Sequence, residues 1–277
     1  MPRNGPFLLL LCMAIASLGL TACGTSSSTP STTSTVPVSP VRISLYWVRG
    51  GQALGVSHRS IPATRTVGSV AVKALLGGTN STEQSAGLAS VVPAGSRLQG
   101  LSIADGVATA NFNSAFASGG GSFSMQARIA QVVFTLTQFP TVQKVLFQLN
   151  GVTATTFGGE GLLLGQPVGR SDEVNLLPPI FLETPAVGDT VHSPLHLTGM
   201  SNTYEATFQA QLVDSTGHTV VNHYVTATAG TGTWGTFDER FSYTISANGT
   251  GKVVVFEISP KDGSRVNEVV VPLAVAL

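Results

Sequence analysis

The sequence predicts an α+β domain followed by an all-β sandwich, both placed behind an export signal and a low-complexity tether. Residues 41–169 interleave strand-period runs with two helix-period stretches, the pattern of a small sheet with helices on one face. Residues 178–277 hold no helix-period stretch and repeat short alternating runs about every ten residues instead. Residues 24–40, GTSSSTPSTTSTVPVSP, carry no charge and three prolines, so they bury too little apolar surface to offset ordering entropy.

Composition narrows the function classes. With 277 residues, 43% of them hydrophobic, the chain can fill two cores. Only 10% of residues are charged, against roughly 25% in an average soluble chain. The 14 basic and 14 acidic residues cancel, which excludes the basic footprint that nucleic acid requires and gives no polybasic patch for anionic lipid.

In the first domain, Val41, Ile43, Leu45 and Trp47 alternate with polar positions as in a half-buried strand, and Gly50-Gly51 turns the chain so that residues 53–61 pair back. Trp47 shares the apolar face of that strand and is expected to pack in the core. Residues 66–76 form a short helix by the stripe Val67, Val70, Ala71, Ala74 and Leu75, stopped at Gly77-Gly78. Asp105-Gly106 joins residues 98–103 and 107–112 into a hairpin, since both turn positions tolerate the positive φ of a type I′ turn. Residues 124–139 form the stronger helix, with Met125, Ile129, Val132, Val133 and Leu136 on one face and Pro140 ending it. Residues 142–149 are a strand closed by Asn150-Gly151.

A linker near residues 170–179, stiffened by Pro178-Pro179, leads to the second domain. Its strand runs fall at residues 180–183, 191–199, 206–213, 219–228, 237–246, 251–258 and 267–275. Seven short strands in about a hundred residues predict an immunoglobulin-like sandwich.

The N-terminus reads as a signal peptide spanning residues 1–22. Arg3 is the only charge before the apolar run from Phe7 to Ala16, which is too short for a membrane-spanning helix of about 20 residues. Leu20-Thr21-Ala22-Cys23 resembles the lipobox of bacterial lipoproteins. The resemblance implies a diacylglycerol on the Cys23 thiol, cleavage before Cys23 and acylation of the new amine, as by palmitate, the only membrane attachment expected. Cys12 leaves with the signal, so the mature chain keeps one cysteine and forms no internal disulfide. The tether at residues 23–40 spans on the order of 20–25 Å as a flexible coil.

Other motifs fall in the two domains. Leu75-Leu76-Gly77-Gly78-Thr79, Glu83, Gly87-Leu88, Val92-Pro93-Ala94-Gly95, Ile103-Ala104-Asp105-Gly106-Val107-Ala108 and the run from Ala130 to Phe139 occur in order. Together they resemble the GerMN domain, first named in a spore-germination lipoprotein. Gly78 stands where that family commonly carries a proline. The stretch Pro185-Ala186-Val187-Gly188-Asp189, with Trp234-Gly235-Thr236-Phe237 and Phe256-Glu257-Ile258-Ser259-Pro260, resembles the immunoglobulin-like domain that often follows GerMN. The resemblance implies a noncatalytic role in envelope assembly or interaction, and it brings no catalytic residues.

The residues themselves offer no catalytic set, metal site or cofactor loop. The five histidines include His192 and His196, but four residues apart on a strand places them about 13 Å apart, too far to share a metal. Gly158-Gly159-Glu160-Gly161 lacks the strand–turn–helix setting of a dinucleotide loop, and Gly119-Gly120-Gly121 reads as a flexible entry to the second helix. The expectation is a noncatalytic lipoprotein on the outer face of the cytoplasmic membrane. It would bind or scaffold an envelope protein and be linked to sporulation- or germination-type machinery. The alternative is a cell-wall-polymer-binding regulator of an envelope hydrolase or sensor. Tyr204 and Trp234, in or beside sandwich loops, are the candidate binding anchors, with core packing as the competing role.

Overall fold

The structure, a computed structural model, describes residues 39–157 and 161–277. The signal peptide, Cys23 and the tether up to residue 38 lie outside the described residues, as do Gly158, Gly159 and Glu160.

Strands β1 (Val41–Arg49) and β2 (Ala53–Ile61) form the expected hairpin, and β3 (Leu88–Ala89) pairs with the far side of β1. Helices α1 (Val67–Leu76) and α2 (Ser81–Ser85) lie between β2 and β3. The hairpin of β4 (Leu98–Ala104) and β5 (Val107–Phe112) turns at Asp105 and Gly106, with φ of 51° and 78°, as a type I′ turn requires. Helix α3 (Ser122–Leu136) then crosses over so that β6 (Lys144–Leu149) runs parallel to β5. Short strands β7 (Val152–Thr153) and β10 (Val168–Gly169) pair with β6, while β8 (Thr156–Phe157) and β9 (Leu162–Leu163) pair with each other. The α+β class stands, and its strands divide between a sheet ordered β2-β1-β3 and a mixed sheet ordered β10-β6-β5-β4. Helix α3 touches both.

The second domain follows the strand rhythm of the sequence. One sheet is β11 (Ile180–Thr184), β13 (Leu195–Ser201) and β16 (Gly235–Phe241). The other runs β12 (Thr190–Val191), β18 (Arg265–Val275), β17 (Gly249–Ile258), β14 (Thr207–Asp214) and β15 (Thr219–Thr226). Inward residues alternate along each strand: Leu195 and Leu197, Phe208, Ala210 and Leu212, Phe237, Val253 and Val255 all join one core. Gly199 is required where β13 meets β11, because a Cβ there would stand 2.1 Å from the Phe181 carbonyl oxygen.

Two elements are more buried than their sequence pattern suggests. Strand β1 reads as half-buried, yet Tyr46 and Val48, opposite the Trp47 face, are also inside. Helix α3 reads as one-sided, yet Ala127, Ala130 and Phe134 on its other face are buried as well. One contact explains both. The outward-facing Phe181 of β11 packs on Tyr46 and Phe134, with ring centroids 6.2 and 5.7 Å away, and Leu176, Leu177 and Ala186 complete the cluster. The sandwich therefore covers an apolar face of the first domain.

Several polar groups at this junction are paired as well. Arg170 donates to Glu183 at 2.8 Å, to the Tyr46 hydroxyl at 2.9 Å and to Thr137 at 2.9 Å, and it stacks over Phe134. The segment expected as an extended linker is instead a 3-10 helix over Arg170–Leu176, because these contacts and the burial of Leu176 hold it against α3. On the edge of β2, His58 N–H donates to the Val187 carbonyl at 3.0 Å and Val187 N–H donates to Val56 at 3.3 Å. The His58 ring meets Asp189 at 2.8 Å, with both side chains over nine-tenths buried. Burial alone would raise the Asp189 carboxyl. The His58 and Ala186 N–H contacts outweigh it and hold the group below the ordinary carboxylate range.

Two buried charged groups inside the first domain, Arg128 and Glu83, are also paired. Arg128, on α3, has no carboxylate partner among the described residues; it donates to the carbonyls of Phe116, Ser118, Gly119 and Val91 at 2.7–3.2 Å. The Gly119-Gly120-Gly121 entry to α3 is thus clamped by a guanidinium. Glu83 is held by three donors besides its own helix cap: Ser57 Oγ at 2.6 Å, Arg59 Nη2 at 2.5 Å and Arg59 Nε at 2.8 Å. Ser57 in turn accepts from the Trp47 indole at 2.8 Å, and the Arg59 guanidinium lies 5.3 Å from the Trp47 ring centre.

Candidate functional site

The two candidate anchors lie on neighbouring loops at one end of the sandwich. Tyr204 follows β13 in the loop leading to β14, and Trp234 precedes β16 in the loop after β15. The loops are laced together by hydrogen bonds. Thr231 N–H donates to the Thr203 carbonyl at 2.8 Å, Glu205 N–H to Thr231 Oγ1 at 3.0 Å, and Gly232 N–H to Asn202 Oδ1 at 2.8 Å.

The Tyr204 loop stores backbone strain. Glu205 and Ala206 both adopt positive φ, 53° and 59°, a region that costs non-glycine residues on the order of 1–3 kcal/mol each. The turn fits only because Gly230 lies beneath it: a Cβ at Gly230 would come within 2.4 Å of Ala206 N. Glu257, from β17, holds the turn from the other side. One oxygen accepts from Tyr204 N–H at 2.8 Å and the other accepts from the Asn267 amide. A rigid, strained loop presents Tyr204 with 54% of its surface exposed, and nearby Thr203 and Ser201 keep buried hydroxyls without a hydrogen-bond partner. Such an aromatic needs little further ordering to serve as a contact.

Trp234 has a different setting. It is half-buried and packs against the cluster of Tyr46, Phe134 and Phe181 that joins the two domains. The structure places both residues at the same end of the sandwich, with Tyr204 turned to solvent and Trp234 turned partly to the junction. Sequence reasoning missed the residues that hold the loops: Asn202, Thr231, Glu257 and Gly230. The pairing of Thr-Gly at 231–232 with Asn at 202 is a turn signal in each loop, but nothing local links the two.

This arrangement separates the variants. Trp234→Ala is expected to lower thermal stability, by about 2–4 kcal/mol for a partly buried aromatic, whereas Tyr204→Ala is expected to unfold within about 0.5 kcal/mol of the parent. Chemical denaturation of both variants measures this directly. Equal losses would mean that Tyr204 is structural.

Among the described residues no cluster of three or more His, Cys, Asp or Glu side chains could hold a metal, and no helix is long and apolar enough to cross a membrane. Two known structures are similar to parts of this chain. The first GerMN domain of the sporulation protein GerM from Bacillus subtilis is 23% identical, with 48% of this chain and 99% of that chain covered, at a TM-score of 0.43. The tandem GerMN domains of the same protein are 20% identical, with 74% of this chain and 62% of that chain covered, at a TM-score of 0.45. No curated protein sequence is significantly similar to this chain. Residues 44–155 match the Germane family, described as sporulation and spore germination, and residues 179–264 match Gmad2, the immunoglobulin-like domain of bacterial spore germination. The chain therefore carries a GerMN-type domain of the sporulation and germination family followed by its germination-associated immunoglobulin-like domain.

Proposed function

We propose that the mature protein is a noncatalytic, lipid-anchored component of the cell envelope that binds a protein partner through the sandwich end carrying Tyr204 and Trp234. The domains themselves are sporulation- and germination-associated, and their families are described by those processes rather than by a reaction. The observation that carries the binding reading is the strained, hydrogen-bonded loop that holds Tyr204 exposed at the end of a rigid sandwich. Loops presented by a fixed scaffold are the usual location of binding residues. The anchor rests on Leu20-Thr21-Ala22-Cys23 after a short apolar run. A diacyl chain on Cys23 suffices for stable attachment at about 0.8 kcal/mol per buried methylene.

Two experiments test the two parts. Fractionation of cells expressing Cys23→Ala is expected to show unprocessed precursor, or protein shed from the membrane fraction. Normal processing with membrane retention would refute the lipid anchor. For the binding surface, crosslinking and mass spectrometry in native cells should recover an envelope protein with the parent and much less with Tyr204→Ala. Undiminished capture by a stably folded Tyr204→Ala chain would remove this surface from the proposal.

A further inference from the structure

A cleft of about 590 Å³ opens where the first domain meets the outer face of the larger sheet of the sandwich. Arg49 and Ser85 come from the first domain; Asp214, Thr250, Lys252 and Pro272 come from the second. Arg49 ends β1 and reaches across to donate from Nη1 to the Val270 carbonyl at 2.7 Å. Lys252 is paired with Pro272 in the β17–β18 ladder, and Val270 is paired with Val254. Lys252 and Val270 are thus diagonal neighbours on one face, about 7–8 Å apart at Cα. Arg49, resting on Val270, and Lys252 therefore line the same cleft.

Neither cation has a counter-ion. Among the described residues no ion pair includes Arg49 or Lys252. Arg49 Nε is buried with no hydrogen-bond partner, packed over Gly55, whose Cβ would stand 2.8 Å from it. Asp214 is the one carboxylate lining the cleft, and its Oδ1 already accepts from Thr216 N–H, Thr216 Oγ1 and His218 N–H at 2.7–3.0 Å. Two cations against one committed carboxylate leave the cleft with one positive charge uncompensated. Lys252 is exposed, but Arg49 is half-buried, and a half-buried charge without a counter-ion is costly, so the arrangement calls for an anion.

The geometry selects among anions. Bidentate pairing with a planar carboxylate needs a free edge of the guanidinium. In Arg49 one edge is compromised, because Nη1 is engaged by Val270 and Nε faces Gly55. What remains is Nη2 and the second N–H of Nη1, with the flexible ammonium of Lys252 on the same lining. Donors carried on two separate side chains suit an anion whose oxygens project in several directions, as those of a phosphodiester do. The hydroxyls of Ser85, Ser215 and Thr250 on the lining, and a volume several times that of one ion, suit a hydrated polyol beside the charge.

We propose that this interdomain cleft binds a phosphodiester carried on a polyol, held between Arg49 and Lys252. The site does not depend on the lipid anchor or on the Tyr204 surface, and it adds a ligand to a protein otherwise read as a partner-binding scaffold. Two sources offer this chemistry: a poly(glycerol phosphate) wall polymer and a phosphatidylglycerol head group.

The test is thermal unfolding of the full chain in detergent, at constant ionic strength, with glycerophosphoglycerol as probe and sodium chloride as reference. The expected result is a rise in Tm of about 2–4 °C at a probe concentration about five times Kd. The rise should vanish in Lys252→Gln, which removes an exposed charge and leaves the ladder intact. No rise over chloride, or the same rise in Lys252→Gln, would overturn the proposal. An acetylated dipeptide with a free carboxylate, compared with its amide, is expected to shift Tm much less; an equal or larger carboxylate effect would overturn the choice of phosphodiester. Poly(glycerol phosphate) and phosphatidylglycerol micelles then name the source, since a Lys252-dependent shift with one of them identifies which molecule carries the group.

Discussion

Glu83→Ala is expected to destabilise the first domain by about 3–5 kcal/mol, the usual cost of removing one partner from a buried ion pair. The carboxylate is 2% exposed and receives Arg59, Ser57 and the Asn80 N–H, so its loss leaves a guanidinium and a buried hydroxyl with unmet hydrogen bonds. It also unlocks the start of α2, where Asn80 and Glu83 form a reciprocal capping box. Glu83→Gln keeps an acceptor for Ser57 and should fall between the two. Urea unfolding followed by tryptophan fluorescence measures the series, because Trp47 reports on the same network. A loss under 1 kcal/mol in Glu83→Ala would show that the network is not cooperative.

The same carboxylate sets the sign of one arm of the pH dependence. Burial alone would raise Glu83, but the Arg59 and Ser57 hydrogen bonds prevail and hold it below its ordinary value of 4.5. Asp189 is likewise held low by His58. A group with a depressed folded pKa contributes stability above its unfolded pKa and loses it as pH falls through the folded one, so acid should destabilise the protein below about pH 4.5. Glu173 acts in the opposite sense. Burial without a partner for Oε2 pushes its carboxyl up to about 7, so the folded chain holds that proton where the unfolded chain has released it. Its contribution is therefore lost as pH rises from 4.5 to about 7. Stability should peak on the acidic side of neutrality, and Glu173→Gln should flatten the decline between pH 4.5 and about 7 while leaving the acid limb unchanged.

Phe181→Ala carries the second large effect. The ring is 1% exposed between Tyr46 and Phe134, and its removal should cost about 3–5 kcal/mol, or roughly 6–20 °C in Tm for a body of this size. The more informative change is in cooperativity. The parent should melt in one transition, because the domains share a core cluster, whereas the variant should show two. Limited proteolysis should follow suit, with cleavage near residues 170–178 appearing only in the variant. A single unchanged transition would mean that Phe181 is not what couples the domains.

Much of this architecture is legible in the sequence, for a local reason. Most of the eight sandwich strands, the Asp105-Gly106 hairpin and the two longer helices follow from period and turn chemistry within a short window, while the run expected as one strand over 191–199 is split into β12 and β13. Helix α2 was missed because five residues show no apolar period, although Asn80-Ser81-Thr82-Glu83 is a capping-box spelling that marks its start. The second buried faces of β1 and α3 were not legible at all. Tyr46 and Phe134 are covered by Phe181, more than forty positions further along the chain, and no window contains both. The candidate site shows the same division. Tyr204 and Trp234 stand out as aromatics near turns, but the strain at Glu205 and Ala206 and the bonds through Thr231 and Asn202 depend on loops distant in sequence.

The shared cluster at the junction also dictates where the chain can be cut without harm. A fragment ending at residue 169, the natural boundary by motif, would carry Tyr46, Val48, Leu54, Val56 and Phe134 with nothing over them. Such a contiguous apolar surface promotes self-association in a truncated product. Moving the end to residue 184 would retain β11 and with it Phe181, but would leave that strand without β13, its own hydrogen-bonding neighbour. Each half thus supplies the other with a surface that neither finishes alone, so the two are expected to be produced as one piece.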